Sequence, residues 1–202
     1  MFGYGIELSV PLLVIVSVVI VSVIAWAIKP LKAAFILHPY SVRERYQVHR
    51  LFTAAWVHAD TTHLLFNMFT LYSFGDSFVK AVGVVRFLVL YLTAVPVAFL
   101  PTTIRYSKNP KYASLGASGA VAAVMFGTIL LYPGLKLTLL FIPIPIPGIA
   151  YALGYLAYSA WHSWRGRDGI NHDAHFSGAI YGALVTLAFE PQRVIHTVQN
   201  FF

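Results

Sequence analysis

The sequence predicts an all-α polytopic membrane protein of six transmembrane helices, and three observations predict it. Hydrophobic residues make up 58% of the 202 residues and charged residues only 10%, where an ordinary globular domain carries about 25% charged. Several uncharged runs approach or exceed the roughly 20 residues that cross a bilayer. The formal net charge of +7 sits in short loops between these runs, where it suits lipid headgroups. No basic stripe or base-stacking motif points to nucleic acid. The chain has no cysteine, which excludes disulfides, thiolate metal sites and a Cys nucleophile.

The first span covers residues 8–28, rich in Val, Ile and Leu and without charge. It lacks the basic leader and small-residue cleavage site of a signal peptide. Its β-branched residues are weak helix formers in water, but in lipid every backbone group must be satisfied internally, so helix wins. Residues 30–62 form a long connection holding His38, Arg43, Glu44, Arg45, His49, Arg50, Trp56 and His58. Structureless loops of this length are unusual unless functional, and this mixture suits a segment lying in the interface. Asp60, Thr61 and Thr62 offer helix N-caps.

Span 2 covers 63–82, with Asp76 and Lys80 spaced to pair along one face. Span 3 covers 84–104, where Pro96 and Pro101 are expected to kink or end the helix. Span 4 covers 112–131. The stretch FIPIPIPG, 141–148, is expected to be an extended loop, since alternate prolines exclude a helix interior or a central strand. Span 5 covers 149–164, a charged turn 165–171, and span 6 172–189. No internal repeat divides the chain, which reads as one membrane domain over 1–202.

With six spans, the even-numbered helices all begin on one side of the membrane. Span 2 begins with His63 and Asn67, span 4 places Ser118 near its start, and span 6 does the same for His175. Four polar groups from three helices therefore share one leaflet, each within about two turns of a helix N-terminus. His63 and Asn67, four apart, share a face. Serine is a poor nucleophile without an adjacent base, and His175 is the histidine well placed inside span 6 to serve. Hydrolysis builds negative charge on a carbonyl oxygen, which needs preorganised donors. The Asn67 amide, a His63 ring N–H and the Ser118 backbone N–H are the candidates.

Each feature also has a plainer reading. Gly116-Ala117-Ser118-Gly119 alone is the kind of small-residue run that packs membrane helices. Gly178 and Gly182 are read as packing that lets span 6 approach span 4. Asn67 alone is interhelical glue, and His175 alone a buried histidine, although polar groups at membrane depth lean functional. His58, His63 and His172 read as interface residues or as metal ligands. No HExxH motif is present, and neither cofactor nor metal is expected.

The pieces HADTTHLLFN (58–67), LGASG (115–119) and AHFSGAIYG (174–182), in that order, resemble the rhomboid intramembrane serine proteases. Arg50 with Phe52 resembles the end of the family's loop-1 motif. The resemblance covers roughly 43–189. It implies a rhomboid-like bundle in which Ser118 is the nucleophile and His175 its base, without a third acid. It further implies that His63 and Asn67 line the oxyanion hole and that 30–62 is a half-embedded loop. Span 5 becomes the gate and the turn at 165–174 the cap. Substrates are then single-span membrane proteins, and the surroundings the lipid of a bacterial-type cell inner membrane. Two departures stand out: His49 precedes Arg50 where the family often has Trp, and Ala122 stands where well-known bacterial members carry a Tyr supporting the catalytic histidine. The rival readings are a catalytically silent rhomboid-like binding protein, whose kind usually lacks the serine or histidine, and a transporter or channel. The last would need polar residues along a full pathway.

Overall fold

The computed structural model describes residues 9–139, 142–165 and 169–201. The molecule is mostly helical. Helix α1 (Val10–Ala27) is followed by three short helices, α2 (Lys29–Phe35), α3 (Pro39–Glu44) and α4 (Arg50–Thr53), and by a 3₁₀ turn at Ala54–Trp56. Then come α5 (Thr61–Val82), α6 (Val84–Arg105) and α7 (Ser118–Leu131). A hairpin of β1 (Lys136–Leu139) and β2 (Ile142–Pro147) precedes α8 (Gly148–Arg165), α9 (His172–Phe189) and α10 (Pro191–Phe201).

Local signals start the long helices. The Ser9 hydroxyl accepts from the Leu12 amide at the head of α1, Asp60 from the His63 amide at the head of α5, and Asn171 from the Ala174 amide at the head of α9. Each satisfies an otherwise unpaired N–H of a first turn. Gly83, at φ 87°, is the single residue between α5 and α6, and the left-handed backbone there favours glycine. Both helices are 22 residues long, about 33 Å.

Judged by length and apolarity alone, two helices among the described residues can cross a membrane, Val10–Ala27 and Val84–Arg105. Helix α6 matches the expected span 84–104 to within one residue and runs through Pro96 and Pro101 without ending at either. Helices at membrane depth tolerate proline where neighbouring groups re-satisfy the freed carbonyls. The expected Asp76–Lys80 pair is not made. The ion pairs among the described residues are Arg43–Glu44, Arg86–Glu190 and Arg105–Asp173.

The largest correction falls on span 4. The helix begins at Ser118 rather than at 112 and is 14 residues long, about 21 Å. Residues ahead of it are held extended by loop 1. Leu37 and Ser114 exchange backbone hydrogen bonds of 2.9 and 3.0 Å, and the Gly116 amide donates to the Ala54 carbonyl at 2.8 Å. Loop 1 is itself mostly helical, and Arg50 ties it together. Its guanidinium donates to the carbonyls of Ala33 at 2.7 Å and Ile36 at 2.8 Å, and to the Gln47 side chain at 2.7 Å. The exposed His49 takes no part in these bonds, so the departure at that position costs the loop nothing through them.

Helix α7 is the core, buried along almost its whole length between α5, α6 and α9. A Cβ at Gly178 would run into the Gly119 carbonyl, and one at Gly182 into the Ala123 carbonyl. The two glycines thus set the close approach of α9 to α7. The proline stretch is a strand, not a loop: β2 pairs antiparallel with β1, Leu137 opposite Ile146. A two-stranded hairpin has edges on both sides, which is where proline fits. Phe141 of that stretch and 166–168 of the expected charged turn lie outside the described residues.

Because the obstacle at Gly182 is backbone, the neighbour cannot yield. Gly182→Ala is expected to destabilise the protein by about 1–3 kcal/mol, read as a lower thermal midpoint in detergent. Gly154→Ala on α8, where a Cβ meets nothing within 4 Å, should instead hold or raise the midpoint.

Candidate active site

Ser118 is the first residue of α7, and the turn that delivers it needs glycine twice over. Gly116 has φ 112°, and a Cβ there would lie 2.6 Å from the His63 ring. The His63 ring therefore packs directly over the Gly116 backbone. His175 sits in the first turn of α9, and its Nε2 lies 2.7 Å from the Ser118 hydroxyl. The close α7–α9 packing makes this reach possible from two separate helices.

Asn67 lies one turn below His63 on α5. It is buried, and its amide donates to the His63 carbonyl at 2.9 Å, leaving a second amide hydrogen. Ser118, His175, Asn67 and His63 all line one half-open cavity of about 780 Å³, together with Asp60 and Tyr155. The structure thus brings together the four residues singled out by spacing. Ala122 also lines this cavity and contributes only a methyl group.

Two further residues organise the site: Asn171, which had not been singled out, and His58, expected as an interface residue or a metal ligand. Asn171 caps α9, accepts from the Thr102 hydroxyl at 2.7 Å and donates to the Ser114 hydroxyl at 2.9 Å. It locks the start of α9 to α6 and to the loop before α7. The available signal was its type, a strong N-cap residue just ahead of a span.

The second is His58, fully buried at 0% exposure. Its Nδ1 lies 3.0 Å from the Ser22 hydroxyl, which donates its own proton to the Trp56 carbonyl at 2.9 Å. Nδ1 must therefore carry the ring proton, and Nε2 accepts from the Ala117 amide at 3.3 Å. Neutral His58 thus joins α1, loop 1 and the residue before the serine. Burial lowers its pKa to about 3, with the neighbouring His63 acting the same way and Asp60 opposing.

Three histidine rings follow one another beside the cavity: His172 lies 5.8 Å from His175 and 5.0 Å from His162, centre to centre. Among the described residues no three His, Asp or Glu side chains converge as metal ligands.

Fold and site are those of a helical membrane protein with a serine–histidine pair in a cavity at the head of its central helix. The Rhomboid domain model matches residues 45–192, and the chain belongs to the rhomboid family. It is 34% identical over 151 residues to Rhomboid protein 1, mitochondrial, of Saccharomyces cerevisiae, covering 69% of this chain and 42% of that protein. To RHOMBOID-like protein 12, mitochondrial, of Arabidopsis thaliana it is 31% identical over 153 residues, covering 68% and 45%. To the human Presenilin-associated rhomboid-like protein, mitochondrial, it is 29% identical over 127 residues, covering 62% and 34%. The chain spans less than half the length of these curated relatives. All three are mitochondrial by name, which overturns the bacterial-type cell membrane expected above.

Removing the His58 ring leaves the Ala117 amide without its acceptor, at about 1–3 kcal/mol, while Ser22 keeps its bond to the Trp56 carbonyl. Between pH 6.5, its ordinary value, and about 3, the unfolded chain binds a proton that folded His58 refuses. Its contribution is complete above that range and is lost as the pH falls through it. The thermal midpoint of the wild type should therefore drop between about pH 7 and 5. His58→Gln, which cannot titrate, should show a flatter profile.

Proposed function

We propose that the chain is an intramembrane serine endopeptidase, with Ser118 as nucleophile and His175 as general base. The observation that carries this reading is the 2.7 Å contact between the Ser118 hydroxyl and His175 Nε2. It lies at a helix start that opens into a cavity. His175 takes the serine proton as Oγ attacks the scissile carbonyl, then returns it to the leaving amine; water hydrolyses the acyl-enzyme by the same base. The Asn67 amide, the Ser118 backbone N–H and the His63 ring hold the oxyanion.

In this reading α1 and α5 to α9 form six crossings of one membrane domain. The short α7 starts part-way across, so the cavity above it admits water to a depth where lipid would exclude it. Substrates are single-span membrane proteins that enter beside α8, the gate. The relatives named above support a mitochondrial membrane as the setting. The rival is a catalytically silent relative that binds membrane proteins without cutting them, and the same experiment separates the two.

Purified protein in liposomes, given a fluorophosphonate probe and a transmembrane reporter, should be labelled and should cut. Ser118→Ala and His175→Ala should abolish both. Asn67→Ala should lower kcat by about 10²–10³, the usual cost of one oxyanion donor. A wild type that neither labels nor cuts would put the silent relative first.

A further inference from the structure

We propose that Tyr155, from α8, positions His175 for proton transfer, taking over from the neighbouring helix the support that Ala122 of α7 is too small to give. The inference rests on the serine protease reading. The hydrogen bond to Ser118 constrains where Nε2 sits, and a flat surface against the ring constrains the plane of the imidazole.

Ala122 lies one turn along α7 from Ser118 and offers only a methyl group to the cavity. The Tyr155 ring lies along His175, centres 6.1 Å apart and planes 22° from parallel, within the range of offset stacking. Tyr155 is braced in turn. Phe126 of α7 meets it at 5.5 Å, and Tyr151, one turn earlier on α8, at 6.1 Å. Tyr151 also lines the cavity. The buried Phe126 connects this brace to the helix that carries the nucleophile. Nucleophile and base are therefore both referred to α7, one by the chain and the other through two aromatic contacts.

Chemistry gives the contact a second use. The base becomes an imidazolium as Oγ attacks, and an aromatic face near 6 Å attracts a cation. Both effects need the ring of Tyr155 and neither needs its hydroxyl. The far end of α8 is held separately, by the Ser163 hydroxyl donating to Asp173 and by Arg105 binding both Ser163 and Asp173. Exchanging one side chain in mid-helix leaves that anchorage in place.

The test compares Tyr155→Phe, Tyr155→Leu and Tyr155→Met with wild type, Ser118→Ala and His175→Ala, by fluorophosphonate labelling rate and by kcat and KM on a transmembrane reporter. Tyr155→Phe should keep most of the wild-type kcat. Tyr155→Leu and Tyr155→Met should each lose about 10²-fold in kcat, the scale of a misaligned catalytic group, with KM nearly unchanged. Met keeps comparable bulk and serves should Leu prevent folding. Wild-type labelling in Tyr155→Leu or Tyr155→Met, a loss seen only in KM, or a Tyr155→Phe as slow as the others would each overturn the inference. If instead Ser118→Ala or His175→Ala retains labelling, the serine–histidine reading itself falls.

Discussion

A helix that begins inside a protein must find partners for the N–H groups of its first turn, and for those just before it, where water does not supply them. Helix α7 is such a helix, and the region around its start is arranged to meet that need. Loop 1 descends so that Ala54 accepts from Gly116 and His58 accepts from Ala117. The Leu37–Ser114 bridge holds the approach extended. The same requirement thus places polar groups around Ser118, at the edge of the cavity that it shares with His175.

The second constraint is distance. A serine on one helix and a histidine on another meet at 2.7 Å because α9 presses its glycines onto the α7 backbone. The small-residue run and the serine–histidine contact are therefore not competitors: packing at Gly119, Gly178 and Gly182 is what brings His175 to Ser118. Asn171 completes the arrangement by fixing the height of α9 against both α6 and the loop before α7.

What could be read from the residues was whatever depends on near neighbours. The caps at Asp60 and the start of α9 at His172 are local, and the four cavity residues followed from helix parity and a spacing of four. The start of α7 was hidden, because nothing in the uncharged run from Tyr112 onward marks where extended chain becomes helix; Leu37, far away in the sequence, decides it. The part His58 plays was hidden for the same reason, its partners lying 36 and 59 residues away. The short C-terminal helix α10 was not foreseen, as the reading ended with the last apolar span.

The hairpin between α7 and α8 has a consequence for crowding. Proline has no N–H, so β2 can donate to β1 only through Ile142, Ile144 and Ile146, the residues between its prolines. The register shifts between Leu137 and Leu139, so the hairpin is irregular, and Pro143, Pro145 and Pro147 donate on neither side of it. An exposed strand edge normally templates the addition of a foreign strand. A strand that lacks every second donor is a poor template, so the prolines weaken edge-to-edge pairing of one copy with another.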